Sequence, residues 1–388
     1  MPEYKTLQTR LIHSGSLHPR PHGAVVTPIF QSANYDQVEV QSYADVRYMR
    51  LNNTPNQKVL GARIAAIEGT EAATVAASGM AAITAGLMSI LSGGDHLLVQ
   101  KNVYGGTRTF LTHDAARFGI RHSDIDAMRP ETWEASLTET TKAIYVEGIS
   151  NPLLGIADLH AIVAFARNHG LVTLIDNTFL SPVLFRPAEI GIDIVLHSAT
   201  KYLNGHSDIV GGVLAGSTAH VKGAINQLNH FGGSLDAHAC FLLERGMKTL
   251  ALRMRFQCET AARIASALQG CDGVKQVIYP GLPEHPGHEL ASELFDGFGA
   301  MVSFRARDGD FASRFVDAVQ IPIHAASLGG VESLVVQPSR STHLGMSVSE
   351  REALGITDDL VRISVGIEDP DELIADLLRA VAAATSTS

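Results

Sequence analysis

One stretch of this chain reads Ser198-Ala199-Thr200-Lys201-Tyr202-Leu203-Asn204-Gly205, directly after a strand-like segment at 193–197. A second apolar segment at 171–175, with the sequence Leu-Val-Thr-Leu-Ile, ends in Asp176-Asn177-Thr178. Neighbouring parallel strands end at the same edge of a sheet, which is where ligands bind in such sheets. The pattern therefore predicts that Asp176 and Lys201 lie close together at one sheet edge.

An aspartate and a lysine in this arrangement are the two side chains that pyridoxal phosphate needs. The lysine amine would hold the cofactor aldehyde covalently, and the aspartate would keep the pyridine nitrogen protonated. Taken alone, Lys201 has the ordinary interpretation of a surface lysine, and Asp176 that of a turn residue. Their combination at two strand ends favours a cofactor site.

Hydroxyl and backbone N–H groups near this pair are candidates for binding a phosphate. Ser198 and Thr200 flank the lysine, and Ser78-Gly79-Met80 opens an Ala-rich helix whose first N–H groups can bind an anion. Taken alone, Ser-Gly before a helix is a common N-cap. Tyr104 follows another strand, on the loop Tyr104-Gly105-Gly106-Thr107, where its ring could stack on the cofactor or pack half-buried.

Strand-like and helix-like segments alternate along the first two thirds of the chain. Predicted strands at 95–100, 143–147, 171–175 and 193–197 are separated or preceded by predicted helices at 57–68, after Ser78, after Thr107 and at 159–169. Such alternation indicates an α/β fold with βαβ units and a mostly parallel sheet that is covered on both faces.

A helical pattern at 241–269 predicts one long helix that leads to a second, smaller domain. Beyond it the elements are shorter, with predicted strands at 299–304 and 361–365, which is typical of an α+β unit. Three regions are therefore predicted: an N-terminal arm at 1–60, a cofactor-binding domain at 61–250 and a C-terminal domain at 251–388.

The composition favours a small molecule as the partner. With 388 residues and 45% hydrophobic content, the chain can form two globular cores. A net charge of -10 without any block of Lys or Arg argues against nucleic acid and anionic membranes. The charge-free stretch 72–94 is rich in Ala, Gly, Ser and Thr, which predicts a short run and a buried helix rather than a membrane span.

Other classes of site lack their motifs. Three cysteines without a CxxC pair indicate reduced thiols and a cytoplasmic location. The histidines do not show the spacing of a metal site, so we expect none. No Gly-x-Ser-x-Gly motif is present for a serine hydrolase.

Motifs spread along the whole chain extend the pattern around the lysine. They are Tyr48-Met49-Arg50-Leu51-Asn52-Asn53, Ala77-Ser78-Gly79-Met80-Ala81, Tyr104-Gly105-Gly106-Thr107, Glu147 with Ser150-Asn151-Pro152, Asp176-Asn177-Thr178-Phe179, Ser198-Ala199-Thr200-Lys201-Tyr202, Ser327-Leu328-Gly329-Gly330 and Val361-Arg362-Ile363-Ser364. This set resembles the Cys/Met-metabolism family of pyridoxal phosphate enzymes, which includes cystathionine γ-synthases, cystathionine γ-lyases, methionine γ-lyases and homoserine sulfhydrylases.

The resemblance implies a fold-type-I pyridoxal phosphate enzyme, and it implies roles for individual residues. Lys201 would bind the cofactor and then carry protons, while Tyr104 would stack on the cofactor ring and assist the leaving group. The phosphate would be bound within one subunit by Ser78, Gly79, Met80, Ser198 and Thr200. Tyr48 and Arg50 would reach the same phosphate from the neighbouring subunit, and the N-terminal arm would be ordered by that neighbour. The active site would therefore need at least a dimer, with a homotetramer as the expected assembly and the dimer as the alternative.

The substrate carboxylate would be bound at the other side of the site. Arg362 is the candidate for binding it in a bidentate manner, with support from Asn151 and Ser327. An exposed ion pair of Arg362 with Glu368 or Asp369 is the alternative.

Two departures from the family pattern concern the far end of the substrate. Cystathionine lyases and synthases typically have a glutamate where this chain has Ala326, and an arginine where it has Thr109. Without these anchors a charged distal group would be buried unpaired. A small apolar tail is therefore favoured, which predicts a methionine γ-lyase-like elimination that yields a thiol, ammonia and 2-oxobutyrate.

Alternative activities remain open at this point. Methionine γ-lyases usually have a cysteine where this chain has Gly106, and Arg108 lies one residue from the expected arginine, so cystathionine γ-lyase activity is the first alternative. The second is γ-replacement, as in cystathionine γ-synthases and O-acylhomoserine sulfhydrylases. The third is a non-catalytic binding protein that has kept the fold.

Overall fold

A computed structural model describes residues 4–38, 40–341 and 344–386. In this part of the chain, seven strands form a first sheet and five form a second. The first sheet contains Ala72–Ala76 (β1), His96–Gln100 (β2), Arg121–Ile125 (β3), Thr141–Glu147 (β4), Val172–Asp176 (β5), Ile194–Ser198 (β6) and Gly212–Gly216 (β7). The second contains Val274–Ile278 (β8), Met301–Ala306 (β9), Ile323–His324 (β10), Leu334–Val336 (β11) and Leu360–Ser364 (β12).

The α-helices are interspersed with these strands. They are Leu7–His13 (α1), Pro55–Glu68 (α2), Gly79–Ile90 (α3), Gly105–Thr109 (α4), Leu159–His169 (α5), Ser181–Leu184 (α6), Thr218–Phe231 (α7), Ala237–Met247 (α8), Leu250–Leu268 (α9), His288–Leu294 (α10), Gly309–Ala318 (α11), Val348–Ala353 (α12) and Pro370–Ser386 (α13). A π-helical turn at Phe110–Ala115 continues α4.

The first sheet has the order β1-β7-β6-β5-β4-β2-β3. The pairs β3–β2, β2–β4, β4–β5 and β5–β6 are parallel. Strand β7 is antiparallel to both of its neighbours, β1 and β6. Along β2 and β4, Leu98 and Ile144 belong to one buried apolar cluster, and Leu97 and Tyr145 belong to another. Both faces of the sheet are therefore covered, as the sequence predicts for a mostly parallel sheet.

Local signals explain where several of these elements begin and end. The predicted helix at 159–169 is α5, which begins after Asp158, whose side chain accepts the N–H of Ala161. It ends at Gly170, which has a φ of 65° and so adopts the left-handed conformation that closes many helices. The stretch 72–94 forms β1 and the buried helix α3. No helix within the described residues is long and apolar enough to cross a membrane.

The predicted long helix at 241–269 is wrong in one respect, because two helices, α8 and α9, occupy this region. The break falls at 248–249, where the carbonyl of Gly246 accepts a hydrogen bond from the side chain of Arg253 at 3.0 Å. A Cβ atom at Gly246 would lie 2.2 Å from the carbonyl oxygen of Asn204. The chain therefore bends where it packs against the loop that follows the lysine.

Several further elements of the structure were not predicted from the sequence, among them β3, β7 and α1. Strand β3, with the sequence Arg-His-Ser-Asp-Ile, lies at the edge of the sheet and is partly exposed, so it lacks an apolar pattern. Strand β7 is short and has glycine at both ends, and α1 lies in the region predicted as an irregular arm. The predicted boundaries at residues 60 and 250 fall within α2 and at the start of α9, so the division into domains stays a prediction.

Candidate active site

A cavity of about 560 Å³ lies at the carboxyl ends of β4, β5 and β6, with residues near the second sheet on its other side. Most of the predicted site residues line it, namely Ser78, Gly79, Met80, Tyr104, Asn151, Asp176, Ser198, Thr200, Lys201, Ser327 and Arg362. Two predicted residues, Tyr48 and Arg50, do not line it. The topology brings these side chains together because parallel strands that are distant in sequence end at one edge.

Lys201 lies in the turn that follows β6. Its Nζ atom donates a hydrogen bond to the Oγ atom of Ser327 at 2.6 Å. Burial and, to a smaller extent, the charge of Arg362 lower the pKa of Lys201 to about 8, while Asp176 opposes the shift. The amine therefore loses its proton at a lower pH than an exposed lysine, which favours reaction with an aldehyde.

Asp176 is the last residue of β5, one strand away from the lysine turn. Its Oδ1 atom accepts hydrogen bonds from the N–H of Thr178 at 3.0 Å and from the hydroxyl of Thr178 at 2.5 Å. Desolvation raises the pKa of Asp176, and these two hydrogen bonds together with nearby Lys201 act against that rise. The hydroxyl of Thr178 also accepts the N–H of Ser198 at 2.8 Å, so it ties the ends of β5 and β6 together.

The beginning of α3 faces the same cavity. The Ser78 side chain accepts the N–H of Ala81 at 3.0 Å and caps this helix, as the N-cap interpretation predicts. A Cβ atom at Gly79 would lie 2.9 Å from the Cβ atom of Ser198, so glycine allows α3 to approach the end of β6 this closely. Because the first N–H groups of a helix have no partner within it, this end can bind an anion.

Arg362 lies on β12, and only 2% of its surface is exposed. Its guanidinium donates to the Oδ1 atom of Asn151 at 2.8 Å and to the carbonyl of Ser327 at 3.0 Å. In the described part of the chain its Nε atom has no hydrogen-bond partner. A buried donor without a partner costs about 1–3 kcal/mol, and a bound carboxylate would satisfy it.

The alternative ion pair of Arg362 is not found within the described residues. Glu368 accepts hydrogen bonds from the N–H and hydroxyl of Ser333, and Asp369 accepts N–H groups of the first turn of α13. Both carboxylates are therefore used elsewhere.

Ser327 has a backbone φ of 97°, which is rare for a residue other than glycine. Such a conformation costs on the order of 1–3 kcal/mol and persists where its surroundings fix it. Here the side chain of Ser327 bonds to Lys201 and its carbonyl bonds to Arg362. The strained residue thus connects the two cationic side chains of the cavity.

Tyr104 precedes α4 and is 48% exposed. Its N–H donates to the Oε1 atom of Glu147 at 2.5 Å. Burial and the neighbouring Asp176 raise the pKa of Glu147 well above its usual range. A Cβ atom at Gly106 would lie 2.5 Å from the Cε1 atom of Tyr104, so the tyrosine ring occupies the space that a cysteine side chain would need.

Arg108, the candidate for binding a distal carboxylate, is bound outside the cavity. Its guanidinium forms an ion pair with Asp124 at 2.6 Å and donates to the carbonyls of Gln100 and Lys101 at 3.2 and 2.8 Å. Arg108 does not line the cavity. The structure therefore gives no support to the first alternative through this residue.

Arg50 is exposed and Tyr48 is half-buried in their own chain. Arg50 donates to the carbonyl of Asn229 at 2.8 Å, and its guanidinium carbon lies 5.7 Å from the centroid of the Tyr48 ring. Their predicted contact with the phosphate of a neighbouring subunit stays a prediction.

Several cavity residues were not assigned a role from the sequence. They are Glu147 and Thr178, which contribute polar atoms, and Ile83, Ile149, Phe179, Val210 and Leu328, which contribute apolar surface. Glu147, Thr178, Phe179 and Leu328 lie within the motifs quoted above, so their position in those motifs was the available signal. The remaining apolar residues have no pattern that separates them from ordinary core residues.

The match with known proteins extends over nearly the whole chain. A family profile described as Cys/Met metabolism PLP-dependent enzyme matches residues 8–382. The chain belongs to this family. The predicted resemblance and the predicted cofactor, pyridoxal 5'-phosphate, are thereby confirmed, and the chain is a PLP-dependent enzyme.

This Cys/Met metabolism enzyme is similar to proteins named for different reactions. It is 41% identical over 377 residues to the cystathionine β-lyase MetC of Bacillus subtilis (strain 168), covering 97% of this chain and 96% of that protein. It is 40% identical over 387 residues to the L-methionine γ-lyase of Pseudomonas putida, with 97% of each covered.

A solved structure with the same fold is the cystathionine γ-synthase from Xanthomonas oryzae pv. oryzae in complex with aminoacrylate and cysteine. The TM-score is 0.95 at 37% identity, covering 99% of this chain and 100% of that one. This similarity confirms the predicted fold class. Because relatives with different names have nearly the same identity, the comparisons establish PLP-dependent trans-sulfuration chemistry, of the lyase or synthase kind, for this enzyme.

The side chains of the cavity fit pyridoxal phosphate. Lys201 offers an amine with a lowered pKa, and Asp176 places a carboxylate at the same edge, where Thr178 donates both of its hydrogen bonds to one oxygen, Oδ1. The beginning of α3 offers backbone N–H groups for the phosphate. The ring of Tyr104 lies on the cavity wall, where it can stack on a planar ring.

Proposed function

We propose that this enzyme eliminates the γ-substituent of L-methionine, or of a close analogue with a small uncharged tail, and releases a thiol, ammonia and 2-oxobutyrate. One observation carries the proposal. Among the described residues that line the cavity, the cationic side chains are those of Lys201 and Arg362. Lys201 is assigned to the cofactor and Arg362 to the substrate α-carboxylate. Among the described residues of this chain that line the cavity, no further cationic side chain is left to bind a distal carboxylate.

The rest of the cavity wall suits a thioether. Ile83, Ile149, Phe179, Val210, Ala326 and Leu328 contribute apolar surface. Cystathionine carries a second amino acid head group with two charges, and leaving these charges without partners costs several kcal/mol per ion. A methyl group on sulfur carries no such cost, which supports methionine as the substrate.

The proposed roles of the side chains follow from their positions. Pyridoxal phosphate, when bound, supplies the electron sink for charge that develops at the substrate α-carbon. Arg362 holds the substrate α-carboxylate, with its Nε atom as an additional donor. Lys201 takes and returns protons at the α- and β-carbons, while Tyr104 gives a proton to the leaving sulfur. Asp176 presents an anionic oxygen to the pyridine nitrogen.

Elimination from cystathionine is the second candidate. The name of a relative at 40% identity, the cystathionine γ-lyase of Bacillus subtilis (strain 168), favours γ-elimination from cystathionine, whereas the relative at 41% identity is named for β-elimination. For this chain it requires a charged anchor from a neighbouring subunit, because Arg108 is bound to Asp124. γ-Replacement would instead require a second substrate that supplies a thiol or sulfide.

The test is 2-oxo acid release by purified, cofactor-loaded protein incubated separately with L-methionine, L-cystathionine and an O-acylhomoserine. We expect methionine to give the highest kcat/KM, with release that is independent of an added thiol. A preference for cystathionine would replace the first candidate by the second. Product formation only with an added thiol would assign a transferase.

Lys201→Ala is the control for the whole assignment. We expect no 2-oxo acid from this variant and an unchanged far-UV circular dichroism spectrum. Appreciable turnover by it would refute the role of Lys201.

A further inference from the structure

Helix α9 contacts both sides of the active-site cavity through two buried polar side chains, one helical turn apart. The first, Arg253, is 5% exposed. Its Nη1 atom donates to the carbonyl of Tyr202 at 2.9 Å, and Tyr202 directly follows the cofactor lysine. Its Nη2 atom donates to the carbonyl of Gly246 at 3.0 Å, and its Nε atom to the hydroxyl of Thr249 at 3.2 Å.

The surroundings of Arg253 are unusual for a buried cation. The three acceptors just named are neutral oxygens, and burial lowers the pKa of Arg253 to about 10. A Cβ atom at Gly205 would lie 2.0 Å from its Nη1 atom, so the guanidinium packs directly against the backbone of the turn that contains Lys201. Burying a charge against neutral groups is costly, so a gain in stability is a poor explanation for this residue.

The second side chain, Gln257, has no exposed surface. Its Nε2 atom donates to the carbonyl of Gly330 at 2.8 Å and to that of Val365 at 2.9 Å. Gly330 ends the turn that begins at Ser327, and Val365 directly follows β12, the strand that carries Arg362. Its Oε1 atom is buried without a partner among the described residues. The amide thus uses both of its donors on the carboxylate-binding side of the cavity and leaves its acceptor unpaired.

The two sides of the cavity also touch each other. Lys201 bonds to Ser327, and a Cβ atom at Gly329 would lie 2.7 Å from the backbone nitrogen of Tyr202. Residues four apart on a helix are neighbours on one face. A single rigid helix face is therefore bonded to the lysine turn through Arg253 and to the Ser327 turn and β12 through Gln257.

We propose that Arg253 and Gln257 are positioning residues that fix the cofactor-binding lysine turn relative to the carboxylate-binding side of the site. The inference rests on the roles proposed above for Lys201 and Arg362, and it is independent of which sulfur amino acid is cleaved. It has a specific consequence. Loss of each side chain affects a different ligand, although both lie on the same helix.

Arg253→Met and Gln257→Met remove the donors and keep an unbranched side chain, which matches glutamine in length and is two atoms shorter than arginine. Two affinities are measured: that of the apoprotein for pyridoxal phosphate without substrate, and that of the loaded protein for L-alanine, which has no leaving group. For Arg253→Met we expect roughly a tenfold weaker affinity for the cofactor and an almost unchanged affinity for L-alanine, because buried hydrogen bonds to the lysine turn are lost. For Gln257→Met we expect the reverse, together with a raised KM and a nearly unchanged kcat.

Leu268→Ala is the matched control on the same helix. Leu268 is 1% exposed and belongs to the apolar cluster on the second sheet, so this variant should lower the free energy of unfolding and leave both affinities unchanged. If Arg253→Met and Gln257→Met behave like Leu268→Ala in denaturant unfolding and in both affinities, this inference alone is overturned. If Lys201→Ala, denatured after borohydride reduction, still carries covalently bound cofactor, the proposed role of Lys201 is overturned, and this inference with it.

Discussion

Lys201 shows how one residue depends on groups from both sheets. It is near Asp176 of the first sheet, and it is bonded to Ser327 and near Arg362 beside the second. Desolvation and the repulsion by Arg362 lower its pKa to about 8, and the attraction of Asp176 makes this shift smaller. The reactivity of the amine is therefore set by the assembled cavity and not by the lysine alone.

The pKa of Lys201 predicts how cofactor binding depends on pH. The neutral amine is the nucleophile, and its fraction grows as the pH rises through the pKa. We expect the rate at which the apoprotein binds pyridoxal phosphate to increase with pH and to reach its midpoint near pH 8, because the pKa of Lys201 is about 8. Stopped-flow absorption from pH 6.5 to 9.5 measures it, and a rate that still rises steeply at the upper limit would contradict the lowered pKa.

Ala326 allows a test of tail selection. Ala326→Glu places a carboxylate on the cavity wall, where it can pair with the distal ammonium of cystathionine. We expect kcat/KM for methionine to fall about tenfold, because the apolar tail would bury the new carboxylate without a partner. We expect kcat/KM for cystathionine to rise, because its distal ammonium gains a charge-assisted hydrogen bond. Ala326→Gln has the same size without the charge, and equal effects of the two variants would mean that size alone selects the tail.

At the residue scale, the sequence predicted most of what lines the cavity. The strand ends that carry Asp176 and Lys201 were visible as apolar runs followed by polar residues, and the motifs added Asn151, Ser327 and Arg362. The partners of each group could not be predicted. The bond from Tyr104 to Glu147, for example, joins segments that only the folded sheet brings together.

The first turn of helix α3 packs so closely against the end of β6 that no side chain fits between them at Gly79. Gly79→Ala would place a Cβ atom within 2.9 Å of Ser198, so the beginning of the helix must move away from β6. We expect the affinity of the apoprotein for pyridoxal phosphate to fall about tenfold as the N–H groups leave their positions. Equilibrium binding monitored by absorption tests this.

Gly223→Ala in α7 is the matched control for that variant. A Cβ atom at Gly223 would have its closest contact at 3.3 Å, with the side chain of Ser89, and Gly223 does not line the cavity. Its cofactor affinity should equal that of the wild type. An equal loss of affinity in both variants would show that any perturbation of these helices weakens binding.

The break between α8 and α9 shows why the bounds of some elements could not be predicted. Helical periodicity continues through residues 241–269, but at the break the carbonyl of Gly246 accepts hydrogen bonds from the N–H of Thr249 and from the side chain of Arg253, which comes from the next helix. Propensity reports only local preference, and tertiary contacts override it. The strands and helices with strong apolar patterns, such as α5 and β6, were predicted to within a residue or two.

At the scale of the whole molecule, the family resemblance predicts that Tyr48 and Arg50 complete the site of a neighbouring subunit, and neither lines the cavity of its own chain. In such a site Lys201 comes from one subunit and Arg50 from its neighbour. Arg50→Ala and Lys201→Ala therefore remove groups that two different subunits contribute to the same site. Subunits of the two variants, mixed after dissociation, should recover about a quarter of wild-type activity, because half of the dimers are mixed and each has one intact site. Activity that stays at the level of the unmixed variants would mean that each subunit completes its own site.

The order of the first sheet has a consequence for how the chain is made. Among the strands of the described residues, β1 pairs only with β7, and β7 ends at Gly216, more than half of the way along the chain. A ribosome delivers the N-terminal residues first, and domains fold as units during synthesis. Strand β1 therefore has no strand to pair with until β7 has left the ribosome, and the beginning of α3 cannot pack on β6 before that strand has been made. The part of the sheet that is translated first is thus completed last, and the phosphate-binding site proposed at α3 depends on residues made more than a hundred positions later.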